Sequence, residues 1–354
     1  MPGHIRGVDM RRQLKADLIG KDSYRGVTLS YSWLANQFGH ISLGFIPTCI
    51  LYLVVSPHTE PVHAALESAL IISAAWLLFE TYNFLGPLLL NRHSSSKLVY
   101  VPHDQYTFQP AWGNIAFDTI TDLSFFWFGA FGASLLAAFS ITAMTVLIIL
   151  VLFLVYPARY WYMTKMYLQV PQYPYQLRLS QWAMPISEEN RKKINTFLDP
   201  DHKKTHLLLF GSEGSGKTSL SVALATELSI KHYASIYTTG MKLYCMFYNN
   251  QQPSADVLWT WRNASVLVID DINPGNPIKK EIITPRDFQE FLDTDERVNP
   301  ENRKDIRNMK VIWVLGNPGE KVQLTSTWTG LLEEIGVHPS KILSVNLSDV
   351  ETGH

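Results

Sequence analysis

The chain has 354 residues, a formal net charge of −1 and a mean hydropathy near zero. That length suits about two domains, and the balanced charge excludes a protein that binds its partner through a global basic field. Its two cysteines, Cys49 and Cys245, lie far apart and have no metal-ligand spacing. A disulfide framework and a zinc site are therefore both excluded, which fits a reducing compartment.

The near-zero hydropathy averages two unlike halves. Residues 39–162 are apolar and aromatic, whereas most of the charge follows residue 186. Residues 1–38 carry Arg6, Arg11, Arg12, Lys15, Lys21 and Arg25 and read as a cytoplasmic basic tail. They are not a cleavable signal, because the apolar run comes too late and no small-residue cleavage site follows it. Spans are expected at about 39–55, 63–90, 119–137 and 139–157. Residues 123–156 are nearly unbroken apolar sequence. As one helix they would reach about 50 Å, well beyond a hydrocarbon core of about 30 Å. A tight hairpin within 132–142 resolves the excess and gives an α-helical membrane domain of about four transmembrane helices.

Charge supports that count. With four spans, the tail, the 91–118 segment with Arg92 and Lys97, and everything after Arg159 share one side, while both opposite loops lack Lys and Arg. The expectation is a multi-pass protein of the inner (cell) membrane with both termini cytoplasmic and the lipid bilayer as a partner. Tyr156, Tyr160, Trp161 and Tyr162 form an aromatic belt at the last exit.

Glu80, Asn83, Asp118 and Asp122 fall in or beside the spans. Ionisable groups are costly there, so an ion path or a small active site is one reading. The favoured reading puts them, paired, at the cytoplasmic interface. The Glu80-x-x-Asn83 pattern followed by aspartates bears a faint resemblance to small bacterial lipid kinases, which no other residue supports. The histidines at 40, 58, 63, 93 and 103 are scattered without ligand spacing. Residues 163–186, with Pro171, Pro174 and Pro185, read as an extended linker.

From Ser187 the pattern turns globular: an ATP-binding domain is expected over 187–354. Residues 188–198 suit a charged helix, and 207–210 are Leu-Leu-Leu-Phe, short enough for a buried strand. They run into Gly211, Ser212, Glu213, Gly214, Ser215, Gly216, Lys217, Thr218 and Ser219, with Leu220, Val222, Ala223 and Leu224 continuing as helix. Strand, G-x-x-x-x-G-K-T and helix in that order read as a phosphate-binding loop. Its glycines let backbone N–H groups turn toward phosphate oxygens, and the helix start adds a positive dipole end. Lys217 suits the β- and γ-phosphates, and the Thr218 hydroxyl suits Mg²⁺.

A second strand at 234–238 is followed by a helix carrying Met241, Leu243 and Met246. Residues 265–271, Ser-Val-Leu-Val-Ile-Asp-Asp, read as a buried parallel strand ending at the same site. There Asp270 would hold Mg²⁺ and Asp271 would polarise the attacking water. Residues 310–315 give a fourth strand closed by Gly316-Asn317-Pro318, with Asn317 reaching the γ-phosphate and water. A helix at 328–335 and a strand at 342–347 complete the set, and 273–307 reads as partly a surface loop for partners. From residue 181 there are 19 Lys+Arg against 22 Asp+Glu, so the basic clusters at 191–193, 203–204 and 303–304 read as solvated faces rather than a nucleic-acid patch.

The phosphate loop, the Val-Leu-Val-Ile-Asp-Asp run and the Leu-Gly-Asn-Pro turn resemble the AAA+ ATPases over roughly 187–348. The Asp-Asp ending is similar to helicase loaders, replication initiators and the ATPase partners of transposases. The resemblance implies an α/β P-loop NTPase domain with a five-stranded parallel sheet, ATP and Mg²⁺ as cofactors, and a homo-oligomer with ATP at subunit interfaces. Lys217, Asp271 and Asn317 would be catalytic, Thr218 and Asp270 would hold the metal, and 211–219 would bind the nucleotide. Two departures stand out. No arginine follows Arg307 where the family places its finger, and no C-terminal lid is expected. The expected activity is ATP hydrolysis coupled to assembly or to macromolecule or DNA transfer in an envelope machine. The alternatives are an ATP-dependent switch in signalling or defence with little hydrolysis, and a membrane-tethered DNA-processing accessory. Nucleic acid as a partner is suggested by the Asp-Asp ending and opposed by the acidic balance.

Overall fold

The computed structural model describes residues 3–19, 26–89, 107–247, 258–272, 283–293, 299–316 and 321–348. Two units emerge. One comprises Gln13–Tyr106 and Pro110–Met166; the other comprises Met1–Arg12, Thr107–Gln109 and Tyr167–His354.

In the first unit the apolar runs fold as long helices. After α1 (Gly7–Leu18) come α2 (Leu29–Val55), α3 (Pro61–Leu89), α4 (Trp112–Ala137) and α5 (Ile141–Gln169). The last four are each long and apolar enough to cross a membrane. The expected hairpin is a short break after Ala137. Ser140 caps α5 there, its hydroxyl accepting the Ala143 N–H at 3.5 Å. Three helices overrun the expected spans: α2 begins at Leu29 rather than 39, α4 at Trp112 rather than 119, and α5 runs to Gln169 rather than 157. The overruns are polar or aromatic turns, which hydropathy does not register. Residues 1–38 are likewise more than a tail. Asp17 of α1 is 2% exposed, and its carboxylate accepts hydrogen bonds from Gln13 (2.8 Å), Thr28 (3.0 Å), Ser30 (2.6 Å) and Tyr162 (2.8 Å). A buried carboxylate so surrounded is tolerated, and it ties α1 to α2 and α5.

Two features close the helices on one another. Gly44 of α2 lies against the Phe126 carbonyl of α4, and Gly129 of α4 against the Ile41 carbonyl of α2, each leaving no room for a Cβ. Small residues facing backbone are how helices approach closely in lipid. Pro47 has no N–H to give the Leu43 carbonyl one turn back; the Trp76 indole of α3 donates to that oxygen instead, at 3.1 Å.

The second unit is a parallel sheet, β1 (His206–Phe210), β2 (Ser235–Thr239), β3 (Val266–Asp270), β4 (Lys310–Val314) and β5 (Ile342–Asn346), in the order β2-β3-β4-β1-β5. Residues on successive strand positions are buried on opposite faces: Leu207 and Leu209 on one, Leu208 and Phe210 on the other. Both faces are covered, as parallel sheets require, by α6 (Glu188–Leu198), α7 (Lys217–Ile230), α8 (Gly240–Phe247), α9 (Pro285–Asp293), α10 (Asn299–Arg307) and α11 (Lys321–Glu334). The described part of 273–307 is therefore largely helical rather than loop. It is anchored by Phe288 and Leu292 on α9 and by Ile306 on α10, all fully buried.

The stretch expected as a linker is also folded. Beyond α5, Tyr173 bonds Ser229 at 2.9 Å, Arg178 pairs with Glu227 at 2.7 Å, and Leu179 and Trp182 enter the sheet's core. Its prolines stop it from being helix, but its aromatic residues need burial.

Two predictions follow from packing. Gly129→Leu would force α2 and α4 apart and lower stability in detergent or nanodiscs by about 1–3 kcal/mol, the cost of overpacking, read as a fall in the thermal midpoint. His206 is fully buried, with Nδ1 accepting the Trp313 indole N–H at 3.2 Å and Nε2 without a partner. Burial pushes its pKa down from 6.5 to about 3. Between those values the unfolded chain holds a proton that the fold refuses. Stability therefore falls as pH drops below about 6.5, by up to roughly 1.4 kcal/mol per unit. His206→Met should flatten the denaturation midpoint between pH 7 and 5; an unchanged slope would refute the assignment.

Candidate functional site

The site lies at the carboxyl ends of the parallel strands, where open α/β sheets place ligands. β1 and β3 are separated by β4, so the glycine-rich loop after β1 and the acids after β3 face one another across a strand's width. Gly216 caps α7 with φ +83, a left-handed backbone open to glycine at little cost. A Cβ there would also meet the Trp182 indole nitrogen at 3.1 Å and Met184 Cγ at 3.2 Å. Trp182 donates its N–H to the Gly216 carbonyl at 3.3 Å. At Gly211 a Cβ would strike the Ser215 hydroxyl. That hydroxyl is buried without a hydrogen-bond partner, a polar group left for something the loop would enclose.

Lys217 Nζ curls into the loop and donates to the carbonyls of Gly211 (2.9 Å) and Ser212 (2.8 Å). Burial holds its pKa below the usual lysine value, while Asp270 and Glu213 oppose the shift. The ammonium thus stands where a phosphate oxygen would be attracted. Ser212, Glu213 and Gly214 are exposed, and Ser219 donates to the Gly216 carbonyl at 2.8 Å.

The deciding geometry is around Asp270, 2% exposed. Its Oδ1 accepts from the Thr218 hydroxyl at 3.3 Å and from the Asp271 N–H at 2.8 Å. Its Oδ2 accepts from the Tyr237 hydroxyl at 2.7 Å. The two side chains expected to share a cation, Thr218 and Asp270, are in contact. Asp271 is exposed, with a left-handed backbone at φ +52. Partial burial and the neighbouring Asp270 charge raise its pKa above the ordinary carboxylate value. Asn317, expected to complete the set at the end of β4, lies outside the described residues.

Sequence reading missed three residues here. Tyr237 on β2 buttresses Asp270, and burial and that carboxylate drive its phenol pKa far up. Tyr175 lies near Asp270 and Ser219, its pKa raised by burial and then by Asp270. Trp182 grips the loop. All three depend on strand order or on the fold of 170–186; the one signal in the sequence was the aromatic content of an apparent linker.

The basic clusters are engaged locally. Arg191 and Lys193 pair with Glu188 and Glu189 on their own helix, and Arg303 pairs with Asp293. Arg307 is exposed, its guanidinium against Gly336.

No protein-family profile and no curated protein match the chain. Among solved structures, a crystal structure of DnaI matches with 18% identity, over 47% of this chain and 86% of that one, at a TM-score of 0.30.

Tyr237→Phe tests the buttress. Leaving Asp270 Oδ2 without its donor should cost about 1–3 kcal/mol of stability, seen as an earlier denaturation midpoint for the full chain. No loss would mean that the Tyr237 hydroxyl does not hold the carboxylate.

Proposed function

We propose that the chain is a membrane-anchored ATPase module that binds Mg·ATP at 211–219 and couples it to assembly or macromolecule transfer at a cell membrane. The observation that carries this reading is the meeting of Thr218 and Asp270 beside a lysine-filled glycine loop. Backbone N–H groups of the loop and the start of α7 would face phosphate oxygens, and Ser215 Oγ would gain a partner. Lys217 would supply the charge for the β- and γ-phosphates. Thr218 and Asp270 would hold Mg²⁺, which when bound neutralises charge on the transferred phosphoryl group. Asp271 would orient and polarise water, a task that Asn317 would share. A neighbouring copy in a homo-oligomer, with ATP at the interface, is the proposed source of an arginine, and exposed Arg307 is one candidate. The four long apolar helices support a bilayer location; both termini on the cytoplasmic face of the inner membrane is the topology favoured by the Lys and Arg distribution.

A switch with little turnover is the second reading. Lys217 already satisfied by two loop carbonyls, and no arginine after Arg307, favour it.

The 354-residue chain in nanodiscs separates the two. Under the first reading, steady phosphate release is expected, lost with Lys217→Ala together with nucleotide binding. Asp271→Asn should keep binding and lower turnover by at least about tenfold, within the range of general-base effects. Binding without release would select the switch. Unchanged nucleotide affinity in Lys217→Ala would overturn both.

A further inference from the structure

α1 is an amphipathic helix turned the wrong way round for water. At about 100° per residue, Asp9, Gln13 and Asp17 share the side that faces the protein, and both acids are buried. The opposite arc, about 160° wide, carries Arg11, Arg12 and Lys15 interleaved with Val8, Leu14 and Leu18, all exposed. The helical hydrogen bonding runs one residue further, from the Ile19 N–H to the Lys15 carbonyl at 3.0 Å. Ile19, 66% exposed, extends the same arc.

No acid lies on that arc. Arg12, at its edge, is 3.9 Å from Asp9, and among the described residues Arg11 and Lys15 have no ion-pair partner. A surface helix in water buries its aliphatic residues and shows its charges. Here two carboxylates are turned in, and cations mixed with aliphatic side chains are turned out.

The anchoring of α1 says what covers the face. Asp17 is held by Thr28 and Ser30 at the start of α2 and by Tyr162 near the end of α5. Along the axes, Ser30 lies about 38 Å from Val55 and Tyr162 about 32 Å from Ile141, at the opposite ends of the same helices. With a hydrocarbon core of about 30 Å, these partners would fall just beyond its boundary, at the level of the lipid headgroups. Aromatic residues would mark the same level: Tyr156 is exposed on α5, and Trp33 of α2 meets the Tyr162 ring edge-on at 6.3 Å.

We propose that the outward face of α1 lies in the headgroup layer and binds anionic phospholipid. Arg11, Arg12 and Lys15 meet the phosphate groups, and the aliphatic side chains between them enter the acyl boundary. Cations interleaved with aliphatic residues suit that surface. Nucleic acid offers the leucines no apolar layer, and a second copy of the face would repel its own cations. The Asp17 network orients the helix and keeps both acids off the lipid. This rests on the bilayer location proposed above and is independent of nucleotide binding.

The test uses the 354-residue chain with Cys49→Ser, Cys245→Ser and Leu18→Cys, the last carrying a bimane fluorophore. It is placed in nanodiscs with a nitroxide quencher near the headgroup of either phosphatidylglycerol or phosphatidylcholine. The phosphatidylglycerol quencher should act at a several-fold lower mole fraction. Arg11→Gln, Arg12→Gln and Lys15→Gln should each lower that preference by up to about fivefold, the worth of one base at an anionic surface, and together should abolish it. Salt at about 1 M, which screens charge within about 3 Å, should also abolish it without touching the bases. Equal quenching by the two lipids at low salt would overturn the proposal, as would a fluorophore reached by aqueous iodide and by neither lipid. Quenching only by nitroxide-labelled copies of the chain would give the face to self-association instead, and shielding from iodide only by duplex DNA would give it to nucleic acid; either overturns the lipid assignment. Alkaline carbonate extraction separates the two readings. A chain that washes off fails the bilayer location and the α1 assignment with it, while a chain that stays and is quenched equally fails the α1 assignment alone.

Discussion

Asp270 is where the elements of the sheet unit are tied together. Its carboxylate is buried at the end of β3 and takes a hydroxyl from α7, a hydroxyl from β2 and the N–H of its own successor. Each bond to a charged oxygen inside the protein is stronger than its counterpart in water, and losing one leaves charge without compensation. The carboxylate thereby fixes three things: the height of α7 relative to the sheet, the rotamer of Thr218, and the left-handed backbone that carries Asp271 outward. Tyr237 is the unexpected member. It occupies the oxygen that Thr218 does not use, so both oxygens are held before any ligand arrives.

The helical unit solves a different problem with the same means. In a bilayer, helices as apolar as these would have no apolar incentive to associate, so close approach would have to come from shape and from polar groups that only another helix can satisfy. Gly44 and Gly129 supply the shape. Trp76 answers the carbonyl orphaned by Pro47, and Asp17 gathers hydroxyls from α2 and α5. The result is a bundle whose exposed faces are Leu, Ile, Val and Phe. Among the described residues, Trp33 Nε1, Ser73 Oγ, Asp122 Oδ1, Ser134 Oγ and Trp161 Nε1 are buried without a hydrogen-bond partner.

Much of this was legible in the residues. Four apolar runs and a five-strand pattern follow from local spacing, because buried strands and long apolar helices leave unbroken apolar signatures. The strand edges fell within about one residue of expectation. What escaped depended on partners distant in sequence. α9 and α10 hold so few apolar residues that Phe288, Leu292 and Ile306 are hidden among charges. α1 reads as a basic tail because its buried acid, Asp17, is satisfied by residues on two other helices. Tyr237 cannot be assigned to Asp270 until β2 is known to lie beside β3.

The segment ahead of α6 alters what counts as the domain. Phe108, Leu179, Trp182 and Ile194 share one cluster with Leu207, Leu209 and Leu224, and Thr107 donates to the Met184 carbonyl at 3.4 Å. A polypeptide excised at Ser187 would retain every motif residue and lose the side chains that roof one face of its sheet. Bared leucines would then favour aggregation, and Gly216 would be deprived of the indole that steadies its carbonyl. A fragment that failed to bind nucleotide would report a missing wall and say nothing against the loop residues themselves.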